Sequence, residues 1–303
     1  MKQATALNLL KSGVNVFLTG SAGAGKTYTL NQYIRYLRER NVAVAITAST
    51  GIAATHMNGR TIHSWAGIGI KDEMTTAELK RLKESRRQVR EQIIKAQVLI
   101  IDEISMLHYK QFNLINQVLK YIKENDEPFG GLQLIVCGDF FQLPPVGKNE
   151  ENNRNKFCFM SPSWVEANFT VCYLTEQHRQ GNDLLSDILN AIRKQYIPKA
   201  HIDALLATMQ QNIGDTFTHL YTHNINVDST NDRYLREIDG EEKMFIAEMT
   251  GDEFLLKTLR ASVRAPEELL LKKHAKVMFV KNHSDLYYSN GSLGEVIGFE
   301  ADN

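Results

Sequence analysis

The densest chemical signal in the chain is the run Gly20, Ser21, Ala22, Gly23, Ala24, Gly25, Lys26, Thr27, followed by Tyr28. Its glycines let consecutive backbone N–H groups turn inward around an anion, because glycine takes left-handed backbone angles without a Cβ clash. Gly-x4-Gly-Lys-Thr is the spacing of a phosphate-binding loop. The lysine then reaches the β- and γ-phosphates and the hydroxyl ligates Mg²⁺. A second pair, Asp102 and Glu103, closes the apolar run Val98-Leu-Ile-Ile. A carboxylate at the end of a buried strand can hold Mg²⁺ beside Thr27, and its neighbour can orient and activate a water. A third motif runs from Gly138 through Asp139, Phe140, Phe141 and Gln142 to Leu143-Pro-Pro-Val146. Two prolines stiffen that loop, and a glutamine amide on it can report the presence of a γ-phosphate. Lys26, Glu103 and Gln142 are the candidate catalytic groups. Thr27 and Asp102 are the candidate metal ligands, and Gly20 through Tyr28 form the nucleotide cradle.

Chemistry of this kind needs an α/β scaffold. Short apolar runs at Val14–Thr19, Val42–Thr47, Val98–Asp102, Leu132–Cys137 and Thr170–Leu174 read as parallel strands buried on both faces. A helix is expected from about Gly25 to Arg40, with Leu30, Ile34 and Leu37 on one face. The charged stretch 68–95 reads as a small insert, a solvated helix or helical hairpin. Residues 1–174 thus read as a first parallel α/β domain carrying the phosphate loop. A second α/β domain is expected over 175–303, with a helix at Leu184–Arg193, a strand at Thr218–Thr222 and a β-rich tail from Lys243.

Bulk properties set outer limits. The 303 residues fit about two domains, and 43% hydrophobic with 23% charged residues is an ordinary globular profile. No apolar run approaches the roughly 18 residues of a membrane span. Cys137, Cys158 and Cys172 lack metal-like spacing, and their odd number argues against a disulfide framework, which together point towards a reducing compartment. Thirty-five basic residues balance 35 acidic ones, a poor match to a histone-like binder but compatible with a local backbone groove.

These motifs, in this order, resemble the PIF-one family of superfamily-one DNA helicases, relatives of RecD. The likeness extends through Thr47-Ala-Ser-Thr-Gly-Ile-Ala-Ala54, Gly59-Arg-Thr-Ile-His-Ser-Trp-Ala-Gly67, Pro128-Phe-Gly-Gly-Leu-Gln133 and Leu174-Thr-Glu-Gln-His-Arg179. It implies two RecA-like motor domains and an ATP- and Mg²⁺-dependent motor running 5′ to 3′ on single-stranded DNA. Forked DNA would be its substrate, in repair, recombination or telomere maintenance. The resemblance also implies a monomer with no membrane role, in the bacterial cytoplasm and nucleoid, or in the nucleus or mitochondrion of a eukaryote. It makes Arg179 a γ-phosphate contact and Gln3 an adenine reader. It places Thr47, Thr61, His63, Asn224 and Asn282 near the DNA backbone, and Trp65 reads as core. Another P-loop NTPase, or a nucleotide-binding module without helicase activity, is the alternative.

The sequence departs from the family beyond Asn290-Gly-Ser-Leu-Gly-Glu-Val-Ile-Gly-Phe299. The family's Ile-His-Lys-type DNA segment and final arginine-bearing motif do not occur. The expectation is therefore a C-terminally truncated chain with an incomplete second domain and the start of a β-barrel insert, which binds ATP–Mg²⁺ but turns over slowly.

Overall fold

The computed structural model describes residues 1–147, 153–176, 184–209, 211, 219–221, 224–251, 256, 263, 265–280, 287–288 and 291–300. The chain divides into two compact units, Met1–Met209 and Gln210–Asn303.

The first unit is built on a six-stranded parallel sheet. Its strands are β1 (Val16–Gly20), β2 (Val44–Ala48), β3 (Arg60–Thr61), β4 (Val98–Asp102), β5 (Gln133–Cys137) and β6 (Thr170–Leu174), in the order β3-β2-β4-β5-β1-β6. All five predicted strands are recovered, three with small shifts at their ends, while Val98–Asp102 and Thr170–Leu174 match at both ends. The pattern works because β1 and β4 are buried at every position. Alternate side chains then feed two cores. Phe17, Leu99, Ile101, Leu134 and Val136 point into one, while Val16, Leu18, Val98, Ile100 and Ile135 point into the other.

Helices α1 (Gln3–Lys11) and α2 (Lys26–Arg38) cover the second core with Ala6, Leu10, Leu30, Tyr33, Ile34 and Leu37. The first core lies under α7 (Tyr109–Lys123) and a helical hairpin, α5 (Thr76–Ser85) and α6 (Arg87–Lys95). That hairpin is the charged insert. Thr75 and Glu78 cap α5 reciprocally, and Leu79, Leu82 and Ile93 anchor the pair to the core while its charges stay in water. Trp65, on the short helix α4 (Ile62–Trp65), is buried in the same core as expected. Among the described helices, none is long and apolar enough to cross a membrane.

The remaining helices of this unit are α3 (Gly51–His56), α8 (Pro162–Glu166), α9 (Leu184–Arg193) and α10 (Lys199–Thr208). The α9 ends match the sequence expectation. The second unit contains α11 (Asn224–Glu237) and two antiparallel pairs, β7 (Glu242–Ile246) with β8 (Glu268–Lys272) and β9 (Lys276–Met278) with β10 (Leu293–Glu295). The β-rich tail is present, and its described strands are antiparallel, unlike those of the first sheet. Of the predicted strand Thr218–Thr222, only residues 219–221 are described, and they are not in a strand.

Candidate active site at the carboxyl ends of β1, β4 and β5

In a parallel sheet, ligands bind in the crevice beyond the carboxyl ends of the strands, where the chain crosses from one side to the other. Here β5 sits between β4 and β1, so the segments leaving these three strands share one edge. Those segments are the phosphate loop, the Asp102–Glu103 pair and the Gln142 loop. Gly23, Gly25, Lys26, Thr27, Tyr28, Glu103 and Gln142 line a single cleft of about 450 Å³.

Gly25 takes φ 82° as it caps α2, a left-handed angle that an L side chain resists. This turn aims the N-terminal amides of α2, and the positive end of its dipole, into the cleft. The Lys26 ammonium donates to the carbonyls of Gly20 at 2.8 Å and Ser21 at 3.1 Å, and so stays arched over the loop. Gln3 lies at the rim, its Nε2 donating to the Ala24 carbonyl at 3.3 Å, while its backbone N–H donates to Glu176 at 3.3 Å. The expected adenine reader is therefore tied to the phosphate loop.

Asp102 ends β4 and is buried. It accepts the Glu103 backbone N–H at 2.9 Å. Glu103 itself takes φ 53°, ψ 44°, a left-handed conformation that is costly for a glutamate and characteristic of functional turns. The turn is held by the Ser49 hydroxyl, which donates to the Glu103 carbonyl at 2.7 Å. Burial pushes the Glu103 carboxyl above its ordinary pKa; Asp102 and Asp139 add to the rise and Lys26 opposes it. A glutamate with a raised pKa beside a phosphate loop is the electrostatic profile of a general base. Among the described residues, no group of three or more His, Cys, Asp or Glu side chains forms a metal cage. The oxygen set of Thr27 and Asp102 suits Mg²⁺, which keeps waters and takes its other ligands from phosphates.

The Gln142 loop is fixed at its start, by ring packing and by the Asp139 carboxylate. Phe140 packs edge-on to Phe159 at 4.8 Å and lies 5.3 Å from Phe17 between ring centres. Asp139 accepts the Phe141 N–H at 3.1 Å, and its backbone carbonyl accepts the Gln142 N–H at 2.9 Å. Its carboxylate is paired with Arg193 at the end of α9. Burial alone would raise the Asp139 pKa, but the Arg193 and Phe141 hydrogen bonds outweigh it and leave the group below its ordinary value.

The expected DNA-facing residues separate in the structure. Thr47 requires a correction: it is wholly buried within β2, and its hydroxyl donates to the Ile100 carbonyl at 2.6 Å, so it cannot reach a DNA backbone. Strand periodicity turns this side chain inward, and the paired carbonyl satisfies its one polar group. Thr61 caps α4 by accepting the Ser64 N–H at 3.3 Å. His63 is half-buried with Nε2 at 2.9 Å from Gln111 Oε1. Asn224 opens α11 in the second unit. Arg179 and Asn282 lie outside the described residues. Sequence reading missed Arg193, whose signal was only a basic residue closing an amphipathic helix. It also gave Asp139 no role, although the residue stood inside a recognised motif.

Comparison with known proteins agrees with this geometry. Residues 1–198 match the family model of PIF1-like helicases. An ATP-dependent DNA helicase Pif1 from Psychrobacter sp. is 58% identical over 99% of the chain, which spans 46% of that relative's length. The crystal structure of a Pif1 helicase from Candida albicans superimposes with a TM-score of 0.83 at 35% identity, covering 98% of this chain and 68% of that one. A Pif1 helicase from Bacteroides in complex with ADP-AlF3 and ssDNA gives a TM-score of 0.74 at 29% identity, covering 99% and 70%. The phosphate loop, Glu103 and Gln142 line one cleft, and the family match runs through the whole of the first sheet around it: this chain belongs to the PIF1-like helicase family.

Proposed function

We propose that the protein is an ATP-dependent DNA motor that moves 5′ to 3′ along single-stranded DNA and opens forked duplexes. The observation that carries this reading is the single cleft in which Lys26, Thr27, Glu103 and Gln142 face one another. In it, the amides of Gly20–Thr27 and the Lys26 ammonium bind the β- and γ-phosphates. Tyr28 and Gln3 flank the nucleoside side of the loop. Thr27 and Asp102 would hold Mg²⁺, which when bound would neutralise charge on the phosphate oxygens. Glu103 accepts a proton from the attacking water, and its raised affinity for protons suits that task. Gln142 donates to the γ-phosphate and so distinguishes ATP from ADP. Arg179 supplies a further cation to the transferring phosphoryl group. Thr61, His63, Asn224 and Asn282 contact the DNA backbone, as hydroxyl, imidazole and amide groups do without reading sequence. The likeness to the Bacteroides helicase in complex with ADP-AlF3 and ssDNA supports both ligand classes.

ATP hydrolysis measured with and without a single-stranded oligonucleotide tests the reading, with Lys26→Ala as the control. Stimulation by DNA, and a loss of about a hundredfold or more in Lys26→Ala, are the expected results. Hydrolysis indifferent to DNA would return the chain to the broader class of P-loop NTPases.

A further inference from the structure

Arg193 closes α9, and its guanidinium meets Asp139 in a two-pronged pair. Nη1 donates to Oδ2 and Nη2 to Oδ1, each at 2.7 Å. Asp139 is 2% exposed and the Arg193 side chain 17%. The Phe141 ring lies 4.5 Å from the guanidinium carbon, and Tyr173 on β6 offers a second acceptor. The same Asp139 carboxylate accepts the Phe141 N–H and stands 3.5 Å from Gln142 Nε2. One carboxylate therefore holds a helix end and two consecutive residues of the loop that lines the nucleotide cleft.

The arrangement determines where the Gln142 amide points. With Arg193 in place, each Asp139 oxygen accepts a guanidinium N–H at 2.7 Å and Oδ1 also takes the Phe141 N–H, while the Gln142 amide makes only a 3.5 Å contact to Oδ2. Gln142 lines the cleft, and its amide carries a second N–H that the Asp139 contact does not use. Without Arg193, a buried carboxylate keeps an unmet demand for donors, and Gln142 is the nearest one. The amide would then turn inward and leave the cleft.

We infer that Arg193 is a positioning residue. By meeting most of the Asp139 demand for donors it keeps Gln142 from being drawn inward and leaves it directed at the γ-phosphate, and so sets the preference for a nucleoside triphosphate over a diphosphate. This rests on the nucleotide-site reading given above. A guanidinium is required, because a lysine ammonium cannot satisfy both oxygens in one plane.

The test compares wild type, Arg193→Lys, Arg193→Ala, Gln142→Ala and the double variant Arg193→Ala/Gln142→Ala. Binding of Mg²⁺–ATPγS and Mg²⁺–ADP is measured for each, alongside thermal unfolding. Both Arg193 variants are expected to lose about tenfold in preference for ATPγS while ADP affinity stays within about twofold. Adding Gln142→Ala to Arg193→Ala is expected to cost nothing more, because the two act as one unit. An unchanged ratio of affinities together with a lower unfolding temperature would mean that Arg193 only staples α9 to the sheet, and would overturn the inference. So would independent, multiplying effects of the two substitutions. Should Arg193→Ala fail to fold, Arg193→Lys with its charge retained decides the same question. If wild type binds neither nucleotide, or Lys26→Ala leaves binding untouched, the cleft assignment itself fails and this inference falls with it.

Discussion

The conflict between folding and chemistry is concentrated at Glu103. Burial, Asp102 and Asp139 all disfavour its charged form, and only Lys26 opposes them. Its proton affinity is thus higher in the folded chain than in the unfolded one. The stabilising contribution of such a group is present when it is protonated and is lost as pH rises through its folded pKa. At neutral pH the ionised carboxylate therefore weakens the fold. Glu103→Gln is expected to raise the unfolding midpoint at pH 7.5 by about 1–3 °C while reducing ATP turnover by about a hundredfold or more. A melt that is unchanged or lower would contradict the electrostatic account.

Among the elements, the connection from α7 to β5 is the most constrained. Phe129, Gly130 and Gly131 take φ 54°, 66° and 73° in succession. Phe129 is fully buried against Phe112 at 5.0 Å, and its N–H donates to Asn116 Oδ1 at 2.7 Å. A Cβ on Gly130 would stand 2.8 Å from the Leu119 carbonyl oxygen, inside contact distance of backbone that cannot swing away. In sequence, Pro128-Phe-Gly-Gly looks like a family signature of unknown purpose. In the structure it is the hinge pin that delivers β5, and hence the Gln142 loop, to the sheet. Gly130→Ala is expected to destabilise the first unit by about 2 kcal/mol, lowering its midpoint by about 4–8 °C. Nucleotide affinity should survive at temperatures where the variant remains folded, and a loss of affinity without a loss of stability would refute this role.

For the molecule as a whole, ligand binding and folding of the first unit are linked. The cleft draws on segments following β1, β4 and β5, so a nucleotide that bridges them binds only the assembled sheet. Mg²⁺–ATPγS at about a hundred times its dissociation constant should add about 2.7 kcal/mol, or about 5–10 °C, to the stability of this unit. Lys26→Ala should lose most of that shift. An equal shift in both proteins would place the ligand elsewhere.

Much of this was legible in the sequence. Val98-Leu-Ile-Ile-Asp102 specifies a strand buried on two faces with a carboxylate at its exit, because only a helix-covered parallel sheet tolerates so continuous an apolar run. Gly25-Lys26-Thr27 likewise specifies a helix start that binds phosphate, since the left-handed turn and the donors are local properties of the chain. What is local was readable. Thr47 was misjudged because a hydroxyl suits DNA and sheet interiors alike, and the Ile100 carbonyl that claims it lies on the neighbouring strand. Arg193 went unnoticed because its partner is separated from it by 54 residues. Residue types and spacing determined the nucleotide loop, the acidic pair and the parallel sheet. Only the tertiary structure decided which polar side chains are consumed by the fold and which are left facing the cleft. That choice depends on which donors and acceptors strand order brings within 3 Å, and no single segment carries that information.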